Sequence, residues 1–131
     1  MAAQAPIYGQ ALAELRRGRK ESHWMWFVFP QIAGLGRSPT AVRYAIASLA
    51  EARAFLAHPL LGPRLVEATE ALLAHRGGSV DAILGPIDAV KLRSSMTLFE
   101  AAAEGQARKV FADCLDAFCA GARDPATLEQ I

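Results

Sequence analysis

Residues 23–31 contain a run of aromatic side chains between a histidine and a glutamine. His23 precedes Trp24 and Trp26, and Gln31 ends the run. Indole rings offer a stacking surface and the His23 imidazole can act as an acid or a base, so this segment could bind a nucleotide-like molecule. The alternative is a core segment, since full burial of such side chains contributes roughly 1.5–3 kcal/mol each. In one turn of helix the two indoles point about 200° apart, which predicts one ring in the core and the other near the surface.

A second set of candidate groups lies in residues 91–97. Lys91, Ser94 and Ser95, with the arginine and threonine beside them, offer an ammonium, a guanidinium and hydroxyls within two turns of a predicted helix. Such donors suit a phosphate or a carboxylate. The alternative is an ordinary surface helix on which Lys91 lays its stem along apolar neighbours.

Glu51 is the candidate carboxylic acid. In a predicted helix over 39–57, Tyr44 and Phe55 bracket Glu51 on one face. Aromatic surroundings could raise the pKa of this carboxyl towards the range useful for a general acid. The alternative is a structural ion pair in the interior between Glu51 and Lys91 or the nearby arginine.

The remaining charged residues argue against metal and nucleic-acid binding. The three histidines have no partner at i, i+4 and no carboxylate at ligand spacing, so no metal site is expected. The net charge of +1 is too small to attract a polyanion. The basic run at 16–20 precedes the tryptophans, but cations at a helix C-terminus are already favourable with the macrodipole. We therefore expect no nucleic-acid binding.

Composition predicts a single domain. The chain has 131 residues, 53% of them hydrophobic, which is enough to bury one core. No apolar run approaches the roughly 18 residues that a membrane span requires, so no membrane association is expected. The N-terminal residues lack the pattern of a signal peptide. These features favour a cytoplasmic protein with one domain over residues 1–131.

Apolar residues recur with a helical period along nearly the whole chain. The stretches with this period are 4–17, 39–57, 61–72, 88–103 and 107–118. Gly18 and Gly85 are predicted helix ends, and Ser38, Ser79 and Asp124 are predicted N-caps, the last two of short helices. The pattern predicts an all-α fold of five or six helices, which must bring residues 23–31 to residues 91–97 if the two sets form one site.

Two long motifs resemble those of a known family. The first runs from His23 to Gln31 and continues as Gly-Leu-Gly at 34–36, and the second runs from Lys91 to Phe99. Shorter matching stretches are Tyr44-Ala45-Ile46, Glu51-Ala52, His58-Pro59 and Asp88. The chain resembles, over essentially its whole length, the bacterial family called domain of unknown function 1810, some members of which are labelled calpastatin-like.

The resemblance implies a compact helical domain and no established activity. Family members usually begin with a further short apolar segment ahead of the position of Gln4, which implies that this chain starts inside the domain, with an incomplete or frayed first helix. Three hypotheses for function follow from the residues. The first is a domain that binds a small anionic ligand between the Trp24–Gln31 segment and the Lys91–Thr97 helix. The second is an enzyme acting on a nucleotide- or ADP-ribose-like molecule with Glu51 or His23 as acid or base, and the third is a protein-interaction module that uses the tryptophan-rich segment.

Overall fold

Helices are the regular elements of the computed structural model, which describes residues 5–35 and 39–131. They are α1 (Ala5–Arg17), α2 (Met25–Val28), α3 (Pro39–Tyr44), α4 (Leu49–Ala57), α5 (Leu61–Leu73), α6 (Val80–Leu84), α7 (Pro86–Ala102), α8 (Gly105–Phe118) and α9 (Pro125–Gln130). Five of them (α1, α4, α5, α7 and α8) have nine residues or more. The predicted all-α, single-domain fold is confirmed. The predictions made for Gln4, Gly36 and Ser38 lie outside the described residues.

Helix ends follow the local sequence closely. Gly18 ends α1 with a φ of +76°, a conformation that costs glycine little. Ser79 caps α6, because its hydroxyl accepts a hydrogen bond from the Ala82 amide. Asp124 caps α9 by accepting from the Thr127 amide. These three predicted boundaries are confirmed.

Helix α7 contributes more buried residues than any other described helix. The side chains at Leu92 and throughout 94–99 are buried. This helix packs against α4, α6, α8 and α9, while α5 packs against α1, α4 and α8. The apolar face predicted for α7, which includes Leu92, Met96 and Phe99, is therefore confirmed as core. In the described part of the chain, none of the helices is both long and apolar enough to cross a membrane.

The single helix predicted over 39–57 is wrong. The chain leaves helical geometry after Tyr44, and Ile46 forms an isolated parallel β-bridge with Ile32. The Ile46 amide donates to the Gln31 carbonyl at 2.8 Å, and the Ala33 amide donates to the Ile46 carbonyl at 2.8 Å. These long-range bonds replace the helical bonds that a continuous helix would make.

A local cap restarts the helix after the break. The Ser48 hydroxyl accepts a hydrogen bond from the Glu51 amide at 3.1 Å, so Ser48 is the N-cap of α4. The sequence Ser-Leu-Ala-Glu is the pattern of a capping box, a signal that could have revealed the break. Two consequences follow. Val42, which a continuous helix would place on its core face, is 62% exposed, and Tyr44 and Glu51 no longer share a face.

Gly62 is required by a close approach of two helices. It lies in the first turn of α5, where a Cβ atom would stand 2.0 Å from the carbonyl oxygen of Leu56 near the end of α4. A contact under 3 Å with backbone cannot be relieved by a side-chain rotation, so any other residue must push α4 and α5 apart.

We predict that Gly62→Ala lowers the free energy of unfolding by about 3 kcal/mol, as overpacking against fixed backbone does. Gly9→Ala is the matched control, because Gly9 lies within α1 and nothing stands within 4 Å of an added Cβ. That variant should gain about 0.5–1 kcal/mol from helix propensity alone. Urea unfolding followed by circular dichroism measures both. Equal stability of Gly62→Ala and the wild type would contradict the close approach.

Candidate functional site

A buried carboxylate, Glu14, holds the start of the aromatic segment. Its Oε1 atom accepts hydrogen bonds from the Trp24 indole nitrogen at 2.8 Å and from the amides of Glu21 and Ser22 at 2.7 and 3.0 Å. Its Oε2 atom accepts from the Ser22 hydroxyl at 2.6 Å. One side chain of α1 therefore fixes both the loop that follows α1 and the position of the first indole ring.

These hydrogen bonds keep Glu14 ionised although it is buried. Burial favours the neutral form of a carboxyl, but the donors on Ser22, Glu21 and Trp24 outweigh it and lower the pKa of Glu14 to about 2. Sequence reasoning missed this residue. A usable signal was its position, because Glu14 follows Ile7 and Ala11 at core-facing spacing on α1.

The two tryptophans have the different environments predicted for one turn of helix. Trp24 stands just before α2 and is fully buried. Trp26 lies within α2 and is half-buried. The prediction that one ring lies in the core and the other near the surface is confirmed.

Two lysines and one aspartate connect the two rings. Lys20 Nζ lies 2.9 Å from Asp88 Oδ2, and Lys91 Nζ lies 3.5 Å from Asp88 Oδ1. Lys20 Nζ also stands 5.2 Å from the centre of the Trp24 ring, and Lys91 Nζ 4.6 Å from that of Trp26. Both contacts fall within cation–π range. Because Asp88 lies in the first turn of α7, the helix dipole also favours its charge.

A small cleft opens beside Lys91. Its polar lining comes from Trp26, Gln31, Tyr44 and Lys91, and Met25 and Ile32 are among its apolar walls. The space that can hold the centre of a water molecule is about 10 Å³, or about one water. The cleft lies between the Trp24–Gln31 segment, the chain at Tyr44 and Ala45, and Lys91 of α7.

Backbone and ring contacts hold the far wall of this cleft. The bond from the Ile46 amide to the Gln31 carbonyl fixes the chain at Gln31. The Tyr44 ring packs edge-on against Phe27, with 4.6 Å between ring centres. The guanidinium of Arg43 stands 5.3 Å from the centre of the Tyr44 ring.

Ser94 and Ser95 do not line the cleft. The Ser94 hydroxyl donates to Asp124 Oδ2 at 2.9 Å and so ties α7 to α9. Burial of Asp124 favours its neutral form, but hydrogen bonds from Thr127 and Ser94 and the charge of Arg93 lower its pKa below the ordinary value. Ser95 is fully buried, and its hydroxyl has no hydrogen-bond partner among the residues described.

His23 and Glu51 also lie outside the cleft. Both are exposed, and neither side chain forms an ion pair or hydrogen bond within residues 5–35 and 39–131. The predicted pairing of Glu51 with Lys91 or Arg93 is wrong, because Lys91 pairs with Asp88 and Arg93 with Asp124. The physical reason is the break before Ser48, which turns Glu51 into the first turn of α4 on the surface.

The cleft therefore contains four of the nine predicted residues: Trp26, Gln31, Tyr44 and Lys91. Trp24 supports it from the core. Sequence reasoning missed Lys20 and the function of Asp88, which are 68 positions apart and meet only in the folded chain. In the described ranges, no three His, Cys, Asp or Glu side chains are grouped as metal ligands would be.

The chain belongs to the family described as Protein of unknown function (DUF1810), whose model matches residues 1–131. Its structure is similar to the crystal structure of the conserved hypothetical protein Rv1873 from Mycobacterium tuberculosis, with a TM-score of 0.94 and 51% sequence identity. That match covers 99% of this chain and 91% of the other. A comparison with curated proteins finds no match. The predicted family is confirmed, and neither description names an activity.

We predict that Glu14→Gln lowers the free energy of unfolding at pH 7 by about 3 kcal/mol, because an amide replaces charge-assisted bonds and sets an NH₂ donor against other donors. The folded pKa of about 2 lies below the ordinary 4.5. The stabilisation is therefore complete above pH 4.5 and is lost as the pH falls towards 2.

Urea unfolding at pH 7, 5 and 3 tests this. The stability difference between the wild type and Glu14→Gln should shrink by about 2 kcal/mol between pH 7 and pH 3. Glu70→Gln, at an exposed glutamate in the interior of α5, should match the wild type to within about 0.5 kcal/mol at each pH. A difference that stays constant down to pH 3 would show that the Glu14 carboxylate is not held in its charged form.

Proposed function

We propose that this member of the family binds a small anionic molecule, with one oxygen of its anionic group entering the cleft formed by Trp26, Gln31, Tyr44 and Lys91. The observation that carries the proposal is the unequal charge of the Lys20–Asp88–Lys91 cluster. Two ammonium groups share one carboxylate, and both lysine side chains are mostly buried, at 10% and 24% exposed. The cluster therefore holds one positive charge in excess at the edge of the cleft.

The two lysines lie at unequal distances from the Asp88 carboxylate. Lys20 is the closer and the more buried of the two, so it neutralises Asp88 most directly. Lys91 is 0.6 Å farther from Asp88 and more exposed, and it lines the cleft. An incoming anion would thus meet an ammonium whose position is already fixed by Asp88 and by the Trp26 ring, and a preorganised charge needs little further ordering on binding.

Other groups of the cleft favour a hydrogen-bond acceptor. The Trp26 indole nitrogen is buried and has no hydrogen-bond partner in the described part of the chain. An indole N–H only donates, and a lysine ammonium only donates. The Gln31 amide and the Tyr44 hydroxyl can also donate. A carboxylate or phosphate oxygen is the complement of this set.

The alternatives from the sequence have less support in the geometry. His23 and Glu51, the candidate acid or base groups of an enzyme, are exposed and do not line the cleft. The Trp26 ring already carries the Lys91 ammonium against it, which disfavours stacking of a nucleotide base there. Trp24 is buried rather than presented to a partner protein.

A thermal-shift screen with anions and their neutral analogues tests the proposal, and it should include orthophosphate, carboxylates, nucleotides and ADP-ribose. Acetate or phosphate should raise Tm more than acetamide at equal ionic strength. A ligand at 100 times its Kd adds about 2.7 kcal/mol of stability. Lys91→Gln should remove the effect. Lys109→Gln is the matched control, because Lys109 forms a single exposed ion pair with Asp113 at 2.7 Å.

Indole resonances in an NMR titration locate the binding. The two tryptophans give two indole N–H signals, and the signal of Trp26 should move on addition of the anion. The signal of Trp24 should stay in place, because its N–H is bound to Glu14. Stabilisation by anions that survives Lys91→Gln, or a titration that moves neither signal, would overturn the proposal.

A further inference from the structure

An apolar groove continues from the cleft along the surface. It is lined by Leu35, Pro86, Ile87 and Val90, and Gln31 and Lys91 line it as well as the cleft. The groove is open to solvent and offers about 440 Å³. Two adjoining concavities therefore share the two polar residues at their junction, and the larger one has an otherwise apolar wall.

Two apolar side chains of α7 that line the groove are exposed to solvent. Ile87 is 73% exposed and Val90 is 58% exposed, near the start of the helix. They stand at i and i+3 and Lys91 at i+4, so the three side chains lie on adjacent positions of one helix face. A continuous apolar surface that ends at an ammonium matches a molecule with an apolar body and an anionic end.

Charge and space limit the anionic end. The cluster of Lys20, Asp88 and Lys91 has an excess of one positive charge, which suits a single negative charge better than a polyphosphate. The cleft has room for about one water-sized group, so a ring or a chain must lie in the groove instead.

From these observations we infer that the ligand is an amphiphilic monocarboxylate. Its carboxylate contacts Lys91 and Gln31 at the cleft, and its aliphatic tail lies along Leu35, Pro86, Ile87 and Val90. This inference rests on the proposed function and adds the class of ligand to it.

A series of straight-chain carboxylates provides the test. Acetate, hexanoate and decanoate, the last kept below its critical micelle concentration, are titrated by calorimetry into the full chain. A fully buried methylene is worth about fourfold in affinity, and because the groove is open on one side we expect about twofold for each methylene. Affinity should therefore rise roughly 16-fold from hexanoate to decanoate. Decanol and decylammonium, which have the tail without the negative charge, should bind at least tenfold more weakly than decanoate.

Two variants test the binding of the tail and of the carboxylate separately. The double variant Ile87→Ser with Val90→Ser should abolish the dependence on chain length and leave acetate binding unchanged. Both positions are exposed, so folding should not suffer, and Leu128→Ser, at a half-exposed leucine of α9 outside the groove, is the control. Lys91→Gln should weaken binding at every chain length.

Each contrary outcome is distinct. If acetate, hexanoate and decanoate bind equally, the inference fails and the proposed function stands. If neither carboxylates nor phosphate bind, both fail. If decanol binds as well as decanoate, the groove binds apolar molecules without Lys91 and the inference fails. If sedimentation shows self-association that the double serine variant removes, a second copy of the chain covers the groove and the inference is overturned.

Discussion

The candidate site depends on one buried carboxylate. Glu14 accepts four hydrogen bonds from the chain that follows α1, including the one from the Trp24 indole. A buried charge is tolerable only when its hydrogen-bonding capacity is filled, so this loop has little freedom to rearrange. The loop carries Lys20, which stands over the Trp24 ring and reaches Asp88 on α7. The position of α7 beside the aromatic segment is therefore set by charge as well as by apolar packing.

The arrangement of Lys20, Asp88 and Lys91 links structure to the proposed function. Asp88 orients both ammonium groups, and each ammonium faces an indole ring. Removal of Asp88 would leave two partly buried cations facing each other, so its loss should destabilise the fold. The single negative charge of Asp88 cannot neutralise both lysines, so one positive charge remains. Stability and anion affinity thus come from one cluster, in which the carboxylate limits how much positive charge remains for a ligand.

Local patterns predicted the fold well and the site only in part. Helical periodicity located α1, α5, α7 and α8. Capping residues such as Ser79 located the starts of short helices such as α6. The same periodicity failed at 39–57, because the competing bridge between Ile32 and Ile46 is a long-range interaction, and only the capping pattern that begins at Ser48 marks the break locally. Lys91 was predicted as a site residue because its neighbours on α7 are apolar. No sequence pattern indicates that Lys20 and Asp88 form an ion pair. Ser94 was predicted to bind the ligand, but it donates to Asp124 instead. The sequence cannot distinguish these two partners of a hydroxyl group.

The distance along the chain between Lys20 and Asp88 has a consequence for folding. The pairs α7–α8 and α4–α5 are neighbours in sequence and close through short loops, whereas the ion pair must close a loop of 68 residues. Closure of long loops carries the larger entropic cost, so the local helical pairs are expected to assemble first and the charged cluster afterwards.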